Sequence, residues 1–161
     1  MTPRECQLIF GVHYSCLYAS IKLSGRLSRG VSITEFPEDL LYTESHEWVR
    51  DEGDRVTIGL TDYAQNQMKD IVYVDFPDIG SVFKQGETIG VVESVKTVAD
   101  IFSPITGKVA ETNLILKDYP QFINEDPYGK GWIVKIEVQN REELNGLLSF
   151  KAYLGSLSKD L

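Results

Sequence analysis

The chain has 161 residues, 42% of them hydrophobic and 25% charged, and a formal net charge of −8. That length holds one globular domain with tails, and hardly two. The acidic balance argues against a phosphate-backbone ligand, since nucleic-acid binders gather Lys and Arg on one surface. No apolar run approaches the roughly 18 residues of a membrane-spanning helix, so the expectation is a soluble protein that works with other proteins.

Taken from the start, residues 1–34 carry Arg4, Lys22, Arg26 and Arg29 against the single acid Glu5, with serines at 15, 20, 24, 28 and 32. Without them the chain has 12 basic and 23 acidic residues, a balance of −11. A basic, Ser-rich, acid-poor leader reads either as an organellar transit peptide or as an extension from an upstream start codon. In both cases it is expected to be poorly ordered and to stand outside the fold. Cys6 and Cys16 both lie in it, ten residues apart, a spacing that suits neither a zinc site nor a disulfide framework.

From Trp48 onward, short apolar runs are broken by Gly, Pro and Asp at intervals of about ten residues, the pattern of a mostly β domain. Arg55 to Leu60 follows a Glu-Gly-Asp turn and alternates polar with apolar, which predicts a strand paired with the one around Trp48. Thr61-Asp62 offers an N-cap for a short helix through Met68. Ile71 to Phe76 is a strand ended by Pro77, and Gly80 and Gly86 mark turns. Asn140 to Leu148 has a capped helical pattern. A small β barrel or sandwich with helices at its edges results.

The stretch from Gly86 to Gly107 carries the chemistry. Two β-prone runs, Thr88 to Glu93 and Thr97 to Phe102, flank Lys96 with only Ser94 and Val95 intervening, which puts Lys96 at the tip of a hairpin. Gly86 and Gly107, with Pro104, are expected to form the turns at its base. A hairpin tip suits a carrier, because the lysine must enter successive active sites while its strands fix the attachment point.

Glu93-Ser94-Val95-Lys96 followed by Ser103-Pro104-Ile105-Thr106-Gly107 resembles the lipoyl attachment segment of glycine cleavage H proteins. Other motifs of that family stand in order: Ser45-His46-Glu47-Trp48-Val49, Gly59 to Gln65, Asp70 to Val74, Pro77, Asn124 to Tyr128 and Gly131-Trp132. The resemblance spans roughly residues 38–154. Within the biotinyl and lipoyl carriers, a biotin carrier usually has Met on both sides of its lysine, whereas Val95 and Thr97 stand here. Lipoyl domains of two-oxoacid dehydrogenases usually have Asp before the lysine and Ala after it.

The resemblance implies a small barrel-sandwich of the biotinyl/lipoyl carrier type with short flanking helices, C-terminal helices completing a domain over residues 35–161. It implies lipoate in amide linkage to Lys96, with Glu93, Ser94 and Val95 as the attachment motif, and no catalysis by the chain itself. Its partners would be a pyridoxal-phosphate glycine decarboxylase, a tetrahydrofolate-dependent aminomethyltransferase, dihydrolipoyl dehydrogenase and a lipoylating enzyme, with no nucleic acid or membrane. The alternative is an H-like protein that donates lipoyl groups to other proteins. Glu47 and Asp100, with Ser45, are the candidates for holding the loaded arm; Asp100 lies four residues after Lys96, so both side chains would share a strand face. No metal site is expected, His46 reads as a hydrogen-bonded packing residue, and Trp48 and Trp132 as core anchors. One departure stands out: Met68-Lys69 occupies the place where the family usually has Leu-Gly, which bears on the helix end if positive φ is needed there. The Thr97–Asp100 and 124–132 segments resemble bacterial versions, which implies a cytoplasmic protein; the other reading is a mitochondrial matrix protein with residues 1–34 as transit peptide.

If the leader is separate from the core, its removal should leave the melting temperature within about 2 °C of the full chain. Thermal unfolding followed by circular dichroism checks this, and a drop of many degrees would move the boundary.

Overall fold

The computed structural model describes residues 36–157; the leader and the boundary proposed for it lie outside them. Strand β1 (Leu41–Tyr42) pairs with β2 (Glu47–Asp51), and β2 with β3 (Arg55–Leu60) in the register Trp48↔Gly59 and Val49↔Ile58. A Cβ at Gly59 would lie 2.7 Å from the Trp48 ring, so the bare backbone there is what lets the indole lie across β3. As expected, Thr61 caps helix α1 (Asp62–Met68), its hydroxyl accepting from the Ala64 N–H at 3.2 Å. Strand β4 (Ile71–Asp75) ends before Pro77, and positive φ at Gly80 and Gly86 turns the chain into and out of β5 (Val82–Phe83).

The hairpin follows as β6 (Thr88–Ser94) and β7 (Val98–Phe102), then β8 (Gly107–Thr112), a 3-10 turn (Leu114–Lys117), the short helix α2 (Phe122–Glu125) and β9 (Val134–Val138). After a second 3-10 segment (Arg141–Gly146) come β10 (Leu148–Ser149) and helix α3 (Phe150–Leu157). The strands form two open antiparallel sheets, one ordered β10-β1-β2-β3-β9-β8-β5 and one ordered β4-β6-β7. Val49, Val56 and Ile58 from the first join Val74, Val92 and Ile101 from the second in one buried cluster. The fold is thus mostly β, the sandwich form of the expected class, with its sheets unclosed.

Aromatic residues form a second cluster where α3 docks. Tyr42 and Tyr153 stack at 4.6 Å with rings 6° apart, and the Tyr153 hydroxyl lies 2.9 Å from His46 Nδ1 and 3.0 Å from the Thr61 hydroxyl. Burial pushes the Tyr153 phenol far above its ordinary range, against the opposing effect of its hydrogen bond to Thr61, so it stays neutral. His46 is the packing residue expected of it, although its φ of 72° was not foreseen. Trp48 is fully buried, and Trp132 packs half-buried against the same cluster.

Two expectations need correction. The region 140–148 is no α-helix: Glu143 is drawn to the Thr106 N–H and hydroxyl, and Leu148 and Ser149 pair with Tyr42 and Leu41, so the chain tightens into a 3-10 segment and then a strand. Gly107 is no turn former either. It opens β8 opposite Val138, and a Cβ there would meet the Glu137 carbonyl oxygen at 2.3 Å and Ile136 Cγ2 at 2.4 Å.

Gly86→Ala, with φ of +84° and open space around it, should therefore cost about 1 kcal/mol, whereas Gly107→Ala should cost more than about 2 kcal/mol because backbone must move. Urea denaturation of the two variants measures the difference.

Candidate functional site

Glu93 and Val98 are the last paired residues of the hairpin, and beyond them the Ser94 N–H donates to the Thr97 carbonyl at 2.8 Å. Val95 and Lys96 are the two central residues of the resulting turn, and neither adopts positive φ. Two-residue hairpins normally favour turns that need positive φ. Here the buried Ser94 hydroxyl supplies a substitute, accepting from the Lys96 N–H at 3.2 Å and the Thr97 N–H at 3.1 Å. The Val95 N–H donates to the Asp70 carbonyl at 3.1 Å, tying the turn to the segment that enters β4. Lys96 is exposed at this tip, and the ion pairs among the described residues do not involve it.

Ser94 thus acts through its hydrogen bonds. Glu93 stands half-buried between Tyr73 and Val98 in register, and Val95 projects into solvent. Asp100 is exposed opposite Val91, but the shared-face argument does not extend to Lys96, which sits in the turn and off the strand alternation.

Glu47 is placed quite differently from a solvated acid. It has no exposure, its Oε1 accepts from the Phe102 N–H at 3.0 Å, and its Oε2 accepts from the Ser45 hydroxyl at 2.6 Å and from the Thr43 hydroxyl. Its carboxylate is engaged by these donors and forms a buried tie between β2 and the end of β7. Ser45 lines a cleft of about 280 Å³ with Phe102, Ser103 and Leu148. Asp100 and Lys96 are not in that lining; Lys96 borders another cleft of about 450 Å³ with Gln65, Asn66, Lys69, Asp70 and Asn124.

Lys69 ends α1 with φ 68° and ψ −140°, a conformation that suits glycine, so the departure noted in the sequence has a structural counterpart. Asn124 holds this helix end. Its amide nitrogen donates to the Lys69 carbonyl at 2.8 Å and to Gln65 Oε1 at 2.9 Å, and its oxygen accepts from the Ile71 N–H at 3.1 Å. Asn124 belongs to a motif legible in the sequence, yet nothing there pointed to α1 as its partner. Among the described residues, no group of His, Cys, Asp and Glu is arranged to hold a metal ion.

The family model described as Glycine cleavage H-protein matches residues 40–160. A relative named Glycine cleavage system H protein from Anaeromyxobacter sp. (strain K) is 50% identical over 119 residues, 74% of this chain and 93% of its own. One of the same name from Stenotrophomonas maltophilia (strain K279a) is 50% identical over 129 residues, 80% of this chain and 98% of its own. Among solved structures, a glycine cleavage system H protein from Mycobacterium marinum is similar with a TM-score of 0.69 at 34% identity, over 76% of this chain and 99% of that one.

Two substitutions should move stability in opposite directions. Glu47→Gln, which replaces one acceptor oxygen with an amide donor that faces other donors in a buried site, should destabilise by about 1–3 kcal/mol. Lys69→Gly, which relieves the positive φ, should stabilise by about 1 kcal/mol. Chemical denaturation with unchanged slope is the measurement, and a Lys69→Gly variant less stable than the parent would show that the side chain makes compensating contacts.

Proposed function

The chain belongs to the glycine cleavage H-protein family, and from that premise we propose that Lys96 is the residue that bears its lipoyl arm. Membership gives the chain a lipoyl-carrier role in glycine cleavage and makes it a carrier subunit. The observation that supports Lys96 is its position as the exposed central residue of a turn pinned on both sides, by Ser94 within the hairpin and by the Asp70 carbonyl across to β4. A lysine held this way offers its amine to an acylating enzyme while its backbone stays in register with two packed strands.

Amide formation from lipoate activated as its adenylate joins the carboxyl carbon to Nζ, breaks the bond to AMP, releases a proton from the amine and removes the positive charge of Lys96. Lys96 Nζ would hold the lipoyl group, which would supply a redox-active dithiol able to carry an aminomethyl group between a glycine decarboxylase and a tetrahydrofolate-dependent aminomethyltransferase and open to reoxidation by dihydrolipoyl dehydrogenase. The chain's own residues bind and orient. Ser94 fixes the tip. Glu47 sets the position of Ser45 at the cleft beside Phe102, acting through that hydroxyl and not as an open charge. Asp100 remains exposed on β7 and is the carboxylate free to attract a cationic load. Residues 35–161 form the carrier domain in this reading, with 1–34 outside it. The bacterial relatives support a cytoplasmic location, and among the described residues no helix is long and apolar enough to cross a membrane.

Reconstitution tests the reading. The lipoylated protein should support exchange of the glycine carboxyl group with bicarbonate by glycine decarboxylase, and Lys96→Arg should abolish it at unchanged melting temperature, because a guanidinium keeps the charge but forms no lipoyl amide. Retention of exchange by Lys96→Arg would overturn the assignment.

A further inference from the structure

Strand β4 contains a bulge between Ile71 and Tyr73. Strict alternation from buried Ile71 would turn Tyr73 inward and Val74 outward; the extra residue instead leaves Val72 and Tyr73 both exposed while Val74 returns to the core. Tyr73, Glu93 and Val98 then form one rank across the outer face of the three-stranded sheet, beside the turn that carries Val95 and Lys96. Val72 is 52% exposed, Tyr73 50%, Val98 62% and Val95 73%. Four exposed apolar side chains thus lie on the turn or on the strands that lead to it, and the next rank of the same face holds Asp75 and Asp100.

We propose that Val72, Tyr73, Val95 and Val98 form an apolar collar on which the enzyme that acylates Lys96 docks, through an apolar mouth rimmed by Lys or Arg side chains that meet Glu93, Asp75 and Asp100. This rests on Lys96 being the attachment residue. The occupant follows from reach. An enzyme that acylates the bare amine must approach to within one lysine side chain of the turn and so covers the collar, whereas an enzyme that works on the far end of the arm can reach it without covering the collar. Apolar contact supplies the affinity, and the acids steer a basic partner and fix its register.

The test compares lipoylation rates by a purified lipoylating enzyme, with lipoate and ATP, across a range of carrier concentrations. Val72→Ser/Tyr73→Ser should raise KM about five- to tenfold with kcat within about twofold. Val98→Thr, which keeps the branched shape and strand preference, should raise it about threefold. The parent KM should rise with ionic strength. Ile79→Ser/Val82→Ser, equally exposed but near the base of the hairpin, should leave KM unchanged. Unaltered KM in the collar variants, an equal rise in the Ile79/Val82 pair, or a loss confined to kcat would overturn the collar. So would weakened use of the pre-lipoylated collar variants by glycine decarboxylase with normal lipoylation, which would assign the face to that enzyme. Failure of the parent to be acylated on Lys96 overturns the attachment assignment itself, and is distinguished because it appears before any variant is compared.

Discussion

The Glu47 carboxylate closes the junction between the two sheets. It belongs to β2 of the larger sheet, yet one oxygen accepts from the Phe102 N–H at the end of β7 in the smaller one. A carboxylate taken wholly out of water costs several kcal/mol unless donors replace its hydration, and the hydroxyls of Thr43 and Ser45 complete that replacement. The outcome is a fixed distance between the body of the protein and the hairpin base. The loop that delivers those hydroxyls also carries His46, whose positive φ is held by ring contacts with Tyr63 and Tyr153 and by its bond to the Tyr153 hydroxyl.

Rigidity at the base is matched at the tip. Val92 and Ile101 anchor β6 and β7 in the shared core, so the inward-facing residues of the hairpin are held up to Ser94, and Val95 to Thr97 form the turn beyond the last paired residues. A two-residue turn made without positive φ depends on the Ser94 hydroxyl for its otherwise orphaned N–H groups. The requirement is local and chemical. A serine preceding the pair Val95-Lys96 is part of how the lysine is presented, in addition to being part of a recognisable motif.

Much of this was legible in the sequence because local rules and burial agree there. The Trp48–β3 pairing, the Thr61 cap and the placement of Lys96 in its turn each follow from alternation, a capping hydroxyl or a short gap between β-prone runs. What escaped was non-local. Glu143 and Leu148 carry a helical pattern, but their partners Thr106 and Tyr42 are remote in sequence and override it. Gly107 is read as a turn by its type, whereas its reason is the Glu137 carbonyl on a neighbouring strand. Glu47 looks like a surface acid, and its only local signal was the pair of hydroxyl residues two and four positions before it. Asp100 was put on a face with Lys96 by a period-two rule that stops where the strand does.

The assignment of Lys96 proposed above is tested most directly by peptide-resolved mass spectrometry of the protein produced in cells supplied with lipoate. A lipoyl increment is expected on the peptide containing Lys96, localised to that residue by fragmentation, and on no other lysine. The increment on Lys84 or Lys108, or a fully unmodified Lys96 in cells that lipoylate other carriers, would contradict it.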